Sequence, residues 1–138
     1  MGIASIISWP AGAAKTESAP YVVDVYSDYC QDKMTDDVNG VRIVVLKFET
    51  GVFVNFQNAE GDFNSVLAAP VEIDRKSGDL SFTVSNGDEA LSFQGRATSR
   101  ALTGTISWKS PQKTTEKILL LKAQNYRERV HDCYHNPL

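Results

Sequence analysis

From Tyr21 onward, apolar and polar positions alternate with a period of two, the signature of half-buried strands rather than helices. In Tyr21–Val22–Val23–Asp24–Val25–Tyr26, the residues Tyr21, Val23 and Val25 share one face and Asp24 lies on the other. Val41 to Phe48 is rich in β-branched residues, and Val52, Val54 and Phe56 align on one face of the next run. Glu49–Thr50–Gly51 separates these two runs, and a short loop containing glycine predicts a hairpin connection. Val71 and Ile73 form a short alternating run after Pro70, and Ile118 to Leu121 closes the series.

The clearest organisation lies between Leu80 and Trp108. Leu80–Ser81–Phe82, Leu91–Ser92–Phe93 and Leu102–Thr103–Gly104 recur at an offset of 11 residues, with Val84, Gly95 and Ile106 at the third apolar position of each unit. Turn chemistry separates the units: Lys76–Ser77–Gly78–Asp79, Asn86–Gly87–Asp88 and Thr98–Ser99–Arg100. Regular spacing of this kind predicts consecutive hairpins in a sandwich or barrel, and Asn-Gly between apolar runs is a strong short-range hairpin signal. Gly95 and Gly104 occupy apolar-face slots inside strands. There they predict a sharp bend or close packing against a bulky neighbour, with Phe93 and Trp108 the natural candidates.

Two runs break the alternation. Ile43–Val44–Val45–Leu46 and Ile118–Leu119–Leu120–Leu121 are apolar on both faces, so both faces call for a cover. In the tail, Tyr126, Val130 and Tyr134 fall at helical spacing, which predicts a short C-terminal helix lying on the sheet. A homo-oligomer interface is the alternative cover. The expected fold is all-β: an antiparallel up-and-down meander of about eight strands in a closed or nearly closed barrel, with that C-terminal helix. A two-sheet β-sandwich built from the same strands is the alternative.

With 138 residues and 42% hydrophobic content, the chain fits one domain with a substantial core. Residues 1–20 read as an apolar segment and linker, and residues 21–138 as a single β domain with its tail. Ile3 to Ala14 has the apolarity and the small-residue ending of a secretory signal but lacks a positively charged start. A signal-derived segment, an ordinary first strand and a membrane-proximal anchor are all consistent with it. No apolar run approaches the ~18 residues of a membrane-spanning helix. The net charge of −3 argues against nucleic acid as a partner. Cys30 follows the first strong strand and Cys133 stands near the chain end. A disulfide between them fits a secreted or periplasmic domain, with two unrelated thiols as the alternative.

Candidate chemistry is sparse. His131, Cys133 and His135 alternate, so an extended tail would align them as a nitrogen and sulfur set, but the spacing matches no zinc signature. The tail therefore reads as solvated. Asp24, Asp28, Asp32 and Asp36 recur every four residues and Asp37 joins them. On a helix these would stack as like charges, so residues 28–37 read as a polar loop or a short helix covering one barrel end, without the spacing of a calcium loop. Glu72, Asp74 and Asp79 are the carboxylates that could converge for acid–base work. There is no nucleophile elbow, no metal-protease motif, no phosphate loop and no cofactor fingerprint. The chain thus reads as non-catalytic, with a hydrolase or isomerase in the barrel mouth as the last-placed alternative.

The stretch Val71 to Trp108, with its polar turns, its Leu-x-Phe units and Leu102–Thr103–Gly104–Thr105–Ile106, resembles the meander of small bacterial lipocalin-like (calycin-like) secreted β-barrel domains. True lipocalins and avidin-type proteins usually carry a Gly-x-Trp near the first strand. Gly40–Val41–Arg42 lacks the tryptophan and Ser8–Trp9–Pro10 the glycine, so no ligand residue carries over. The resemblance implies a secreted β-barrel. A binding module for a small apolar ligand or a protein partner is the first expectation, with Val23, Val25, Phe82, Phe93, Ile106 and Trp108 as candidate lining. The alternative is an interaction protein, such as an envelope accessory subunit or an inhibitor. It would act through an exposed surface, for which Arg96 and Arg100 beside Trp108 are candidates because Arg and Trp are enriched at binding hot spots.

Overall fold

The computed structural model describes residues 21–59, 65–110, 112–123 and 131–133. Twelve strands and no helix occur among them: β1 (Tyr21–Ser27), β2 (Cys30–Gln31), β3 (Val38–Asn39), β4 (Val41–Phe48), β5 (Val52–Asn58), β6 (Val66–Leu67), β7 (Val71–Ile73), β8 (Asp79–Asn86), β9 (Glu89–Ala97), β10 (Ala101–Ser110), β11 (Thr114–Lys122) and β12 (His131–Asp132). The apolar segment Ile3 to Ala14, residues 124–130 and His135 lie outside the described residues.

Nine strands form one strongly curled, barrel-like antiparallel sheet in the order β6-β5-β4-β1-β11-β10-β9-β8-β7. The expected meander is intact from β7 to β11. The first strand, however, lies in the middle of the sheet, paired with β4 on one side and β11 on the other. The two edge strands, β6 and β7, are halves of one chain segment joined through the cis Ala69–Pro70 bond. Along that segment Ala68 N donates to Val54 O of β5 at 2.8 Å, and Ala69 N donates to Thr83 O of β8 at 2.9 Å. One segment therefore bonds to both sides of the curl.

The hairpins form where turn chemistry predicts them, with one shift in register. Asn86 pairs with Glu89, which leaves Gly87 and Asp88 as the two-residue loop, and Gly87 has φ of 59°. Glycine at the first loop position supplies the positive φ that a tight hairpin requires. At the next turn the Thr98 hydroxyl accepts from Arg100 N at 3.2 Å and Ala101 N at 3.1 Å, replacing ladder bonds the chain reversal removes.

The inner face carries the core. Ile43, Val45, Val54, Phe56, Leu80, Phe82, Leu91, Phe93, Leu102, Ile106, Ile118 and Leu120 are buried there. Phe82 and Phe93 stack with centroids 5.0 Å apart, and Phe56 tilts against Phe82 at 6.5 Å. Gly95 and Gly104 face each other across β9 and β10, under the Phe93 ring. A Cβ at either glycine would come within 2.6 Å of Phe93 Cζ, so the paired glycines open the space the ring fills.

The doubly apolar runs behave differently. On β4, Val44 is buried along with its core neighbours Ile43 and Val45, so both faces are covered. On β11, Leu119 and Leu121 remain 47% and 54% exposed.

At the far end of the sheet from the 49–51, 74–78 and 98–100 turns, β2, β3 and β12 form a small second sheet. Residues 28–37 thus contain a short strand and a turn, in which the Asp32 carboxylate accepts from Met34 N at 2.8 Å. The expected C-terminal helix is not seen. His131–Asp132 is extended and pairs in parallel with Cys30–Gln31, and the rest of the proposed helix falls largely on residues 124–130. The Cys30–Cys133 disulfide fixes that pairing, with Cα atoms 4.7 Å apart.

Candidate functional site

The six residues expected to line an apolar cavity are divided between the two faces of the sheet. Phe82, Phe93 and Ile106 pack into the core, and Trp108 packs against it. Val23 and Val25 lie on the other face of β1. The register decides this: Tyr26 pairs with Ile43 and Asp24 with Val45, both core residues, whereas Val25 pairs with Val44 and Val23 with Leu46. Because side chains alternate, Asp24 and Tyr26 point inward and the valines outward.

That inversion puts a charged cluster inside one end of the curl. Asp24 is the one buried charged residue among the described residues, 6% exposed. Lys122 Nζ lies 2.9 Å from its Oδ1 and Lys47 Nζ 3.4 Å from its Oδ2, so each carboxylate oxygen has its own ammonium. The lysines arrive from opposite sides of β1. Lys47 is the register partner of Val22 on β4, and Lys122 that of Tyr26 on β11. Beside them the Tyr26 hydroxyl donates to Thr98 O at 3.1 Å, holding the 98–100 turn over the site. Burial, together with the negative charge of Asp24, pushes the Tyr26 phenol up to about 12, so it stays protonated.

Around this cluster lies an open cleft of about 500 Å³. Asp24, Tyr26, Lys47 and Lys122 form one wall, and residues 73–78 and 97–99 form the other. Two contacts set the second wall. Arg75 Nη2 donates to Phe48 O at 2.6 Å, joining the 74–78 and 49–51 turns. Gly78, at φ of 83°, passes so close to Ala97 O that a Cβ there would collide with it, and Ala97 N donates to Gly78 O at 2.8 Å.

A second space, about 680 Å³, is a groove on the outer surface of β7 to β10. It does bring Glu72, Asp74 and Asp79 to one place. Asp79 is solvated and binds Arg96 Nε at 2.9 Å, and that bond holds its carboxyl below the usual range. Asp74 accepts from Lys76 N at 2.8 Å within its own turn. None of the three has the buried setting that raises a carboxyl toward neutral-pH acid catalysis. Arg96 and Arg100 are not beside Trp108: Arg96 pairs with Thr103, whereas Trp108 pairs with Leu91 nearer the other end of β9.

Cys133 is consumed by the disulfide, which removes the sulfur from the His131–Cys133–His135 set. No group of three potential metal-binding side chains occurs among the described residues.

Asp24, Lys47 and Lys122 are the residues that strand patterning passed over. The available signal was a lone acid inside the apolar run Tyr21–Tyr26, with a lysine directly after each doubly apolar run. No protein-family model, curated protein or solved structure matches this chain.

Proposed function

We propose that this chain is a non-catalytic binding module of the extracytoplasmic space, lipocalin-like in layout, that takes a small ligand at the Asp24 end of its curled sheet. The observation that carries the reading is the 500 Å³ cleft built on a buried carboxylate and two lysines. Deeper in the curl the aromatic side chains pack on one another, so the ligand sits at the mouth and carries a polar group rather than threading the interior. The Cys30–Cys133 disulfide supports an oxidising compartment. No described helix is long and apolar enough to cross a membrane.

Native mass spectrometry of protein from its own source tests the reading. The expected result is a disulfide-bonded chain carrying a small-molecule adduct, which is lost when Ser99→Trp obstructs the mouth from an exposed turn. A bare chain, unchanged by Ser99→Trp, would overturn it. A second reading, an interaction protein, is supported by Tyr21, Phe53 and Leu67, which stay exposed on the outer face of β1, β5 and β6. A stable complex with another protein, and no small adduct, would favour it.

A further inference from the structure

We propose that the ligand of this mouth bears a compact oxyanion, a carboxylate or a phosphate group, received between the ammonium groups of Lys47 and Lys122. The proposal rests on the reading of the mouth as a binding site and adds its chemical class.

The first argument is local charge. The cavity wall holds four basic side chains, Lys47, Arg75, Lys76 and Lys122, against two acidic ones, Asp24 and Asp74, in a chain whose net charge is −3. An excess of cations gathered in one concavity of an otherwise acidic protein focuses a field that favours anions. Asp74 accepts from Lys76 N and Ser77 N of its own turn and keeps its charge, so the wall carries a net two positive charges.

The second argument is stoichiometry. Asp24 is paired with two ammonium groups, so the cluster carries one more positive charge than its carboxylate balances. Each ammonium has three donors and spends one on Asp24. Both lysine side chains keep partial exposure, 29% for Lys47 and 34% for Lys122, at the cavity wall. Donors therefore remain for a second acceptor, and Asp24 fixes the two ammonium groups in place before a ligand arrives. An oxyanion with two or three oxygens matches a pair of fixed point donors. Tyr26 does not compete for it, since its proton is given to Thr98 O.

A titration of the ¹⁵N-labelled, disulfide-intact chain at low ionic strength tests this, with inorganic phosphate, succinate and the neutral succinamide as probes. Phosphate or succinate should shift the amides of residues 24–26, 47, 97–99 and 122 along a saturating curve, and succinamide should not. Whichever anion binds more tightly identifies the source of the oxyanion. Loss of one positive charge in Lys122→Gln should weaken binding about tenfold. Lys76→Gln, at an exposed rim position, is the variant that leaves Asp24 its partners. It should weaken binding by about threefold with the remaining spectrum unchanged. Succinamide binding as well as succinate would overturn the anion assignment and leave the site standing. No saturable shift of these amides with any probe at about 10 mM, a concentration that detects even weak millimolar binding, would overturn the site itself.

Discussion

The two ends of the curled sheet are built from opposite materials. At the far end, a covalent bond between Cys30 and Cys133 gathers three short strands. At the near end, an aspartate and two lysines hold β1, β4 and β11 together through charge. Between them Phe56, Phe82 and Phe93 fill the curl. The difference teaches where closed packing gives way to accessible charge. Aromatic packing and the disulfide give up no solvent-accessible chemistry, whereas an ion cluster facing a cavity retains donors and field for a ligand. The far end is closed by a covalent bond; the near end keeps its lysine charges partly exposed.

Cutting the covalent end should have the largest effect. The disulfide closes a chain separation of 103 residues, and a loop of that size contributes about 4–5 kcal/mol in the chain-entropy picture. The Cys30→Ser, Cys133→Ser double variant should lose roughly that amount in urea unfolding, and its anion titration should survive wherever the chain stays folded. A loss of phosphate or succinate shifts in the folded variant would show that the two ends are coupled rather than separate.

Truncations in the two regions sharpen the comparison further. Phe93→Ala removes the ring above Gly95 and Gly104 and should cost about 3–4 kcal/mol, insensitive to salt. Lys122→Met leaves Asp24 with Lys47 alone. Because both lysines are partly solvated, that loss should be about 1–2 kcal/mol and should shrink in 1 M salt as the remaining charges are screened. Equal and salt-independent losses in the two variants would mean the near end is held by packing after all.

Much of this division was legible in the sequence, and the unread part has one physical cause. The 11-residue hairpin series, the role of Gly95 and Gly104 beneath Phe93, and the Cys30–Cys133 bond all follow from local turn chemistry, from glycine in strand interiors or from cysteine count. The placement of Asp24 does not. Alternation states which residues share a face but not which face is inside, and Tyr21, Val23 and Val25 are the more apolar set of β1. Their partners decide, and those partners are β4, which follows the 28–40 excursion, and β11, near the other end of the described chain. The same limit applies to His131–Asp132, whose extended conformation depends on a parallel partner about one hundred residues earlier rather than on its own helical spacing.

The smallest expected effect reports most directly on the near end. Tyr26 has its phenol raised from about 10 to about 12, first by burial and then by the charge of Asp24. The folded chain therefore holds that proton more tightly than the unfolded chain does. Its contribution to stability is fully present below about pH 10 and is lost as the pH rises through about 12. In an ultraviolet titration of the chain's five tyrosines, one should ionise late, near 12, and Tyr26→Phe should abolish that phase. Tyr29 is the necessary control, because burial raises its phenol too, although the Arg42 guanidinium 4.2 Å above its ring opposes the shift. Asp24→Asn then separates the two causes at Tyr26. Removing the charge should move the late phase only part of the way toward 10, since burial is the larger cause. A late phase that returns fully to 10 in Asp24→Asn would make the near end a charge-controlled site throughout. One that does not move at all would place Asp24 too far from the phenol to belong to the same cluster.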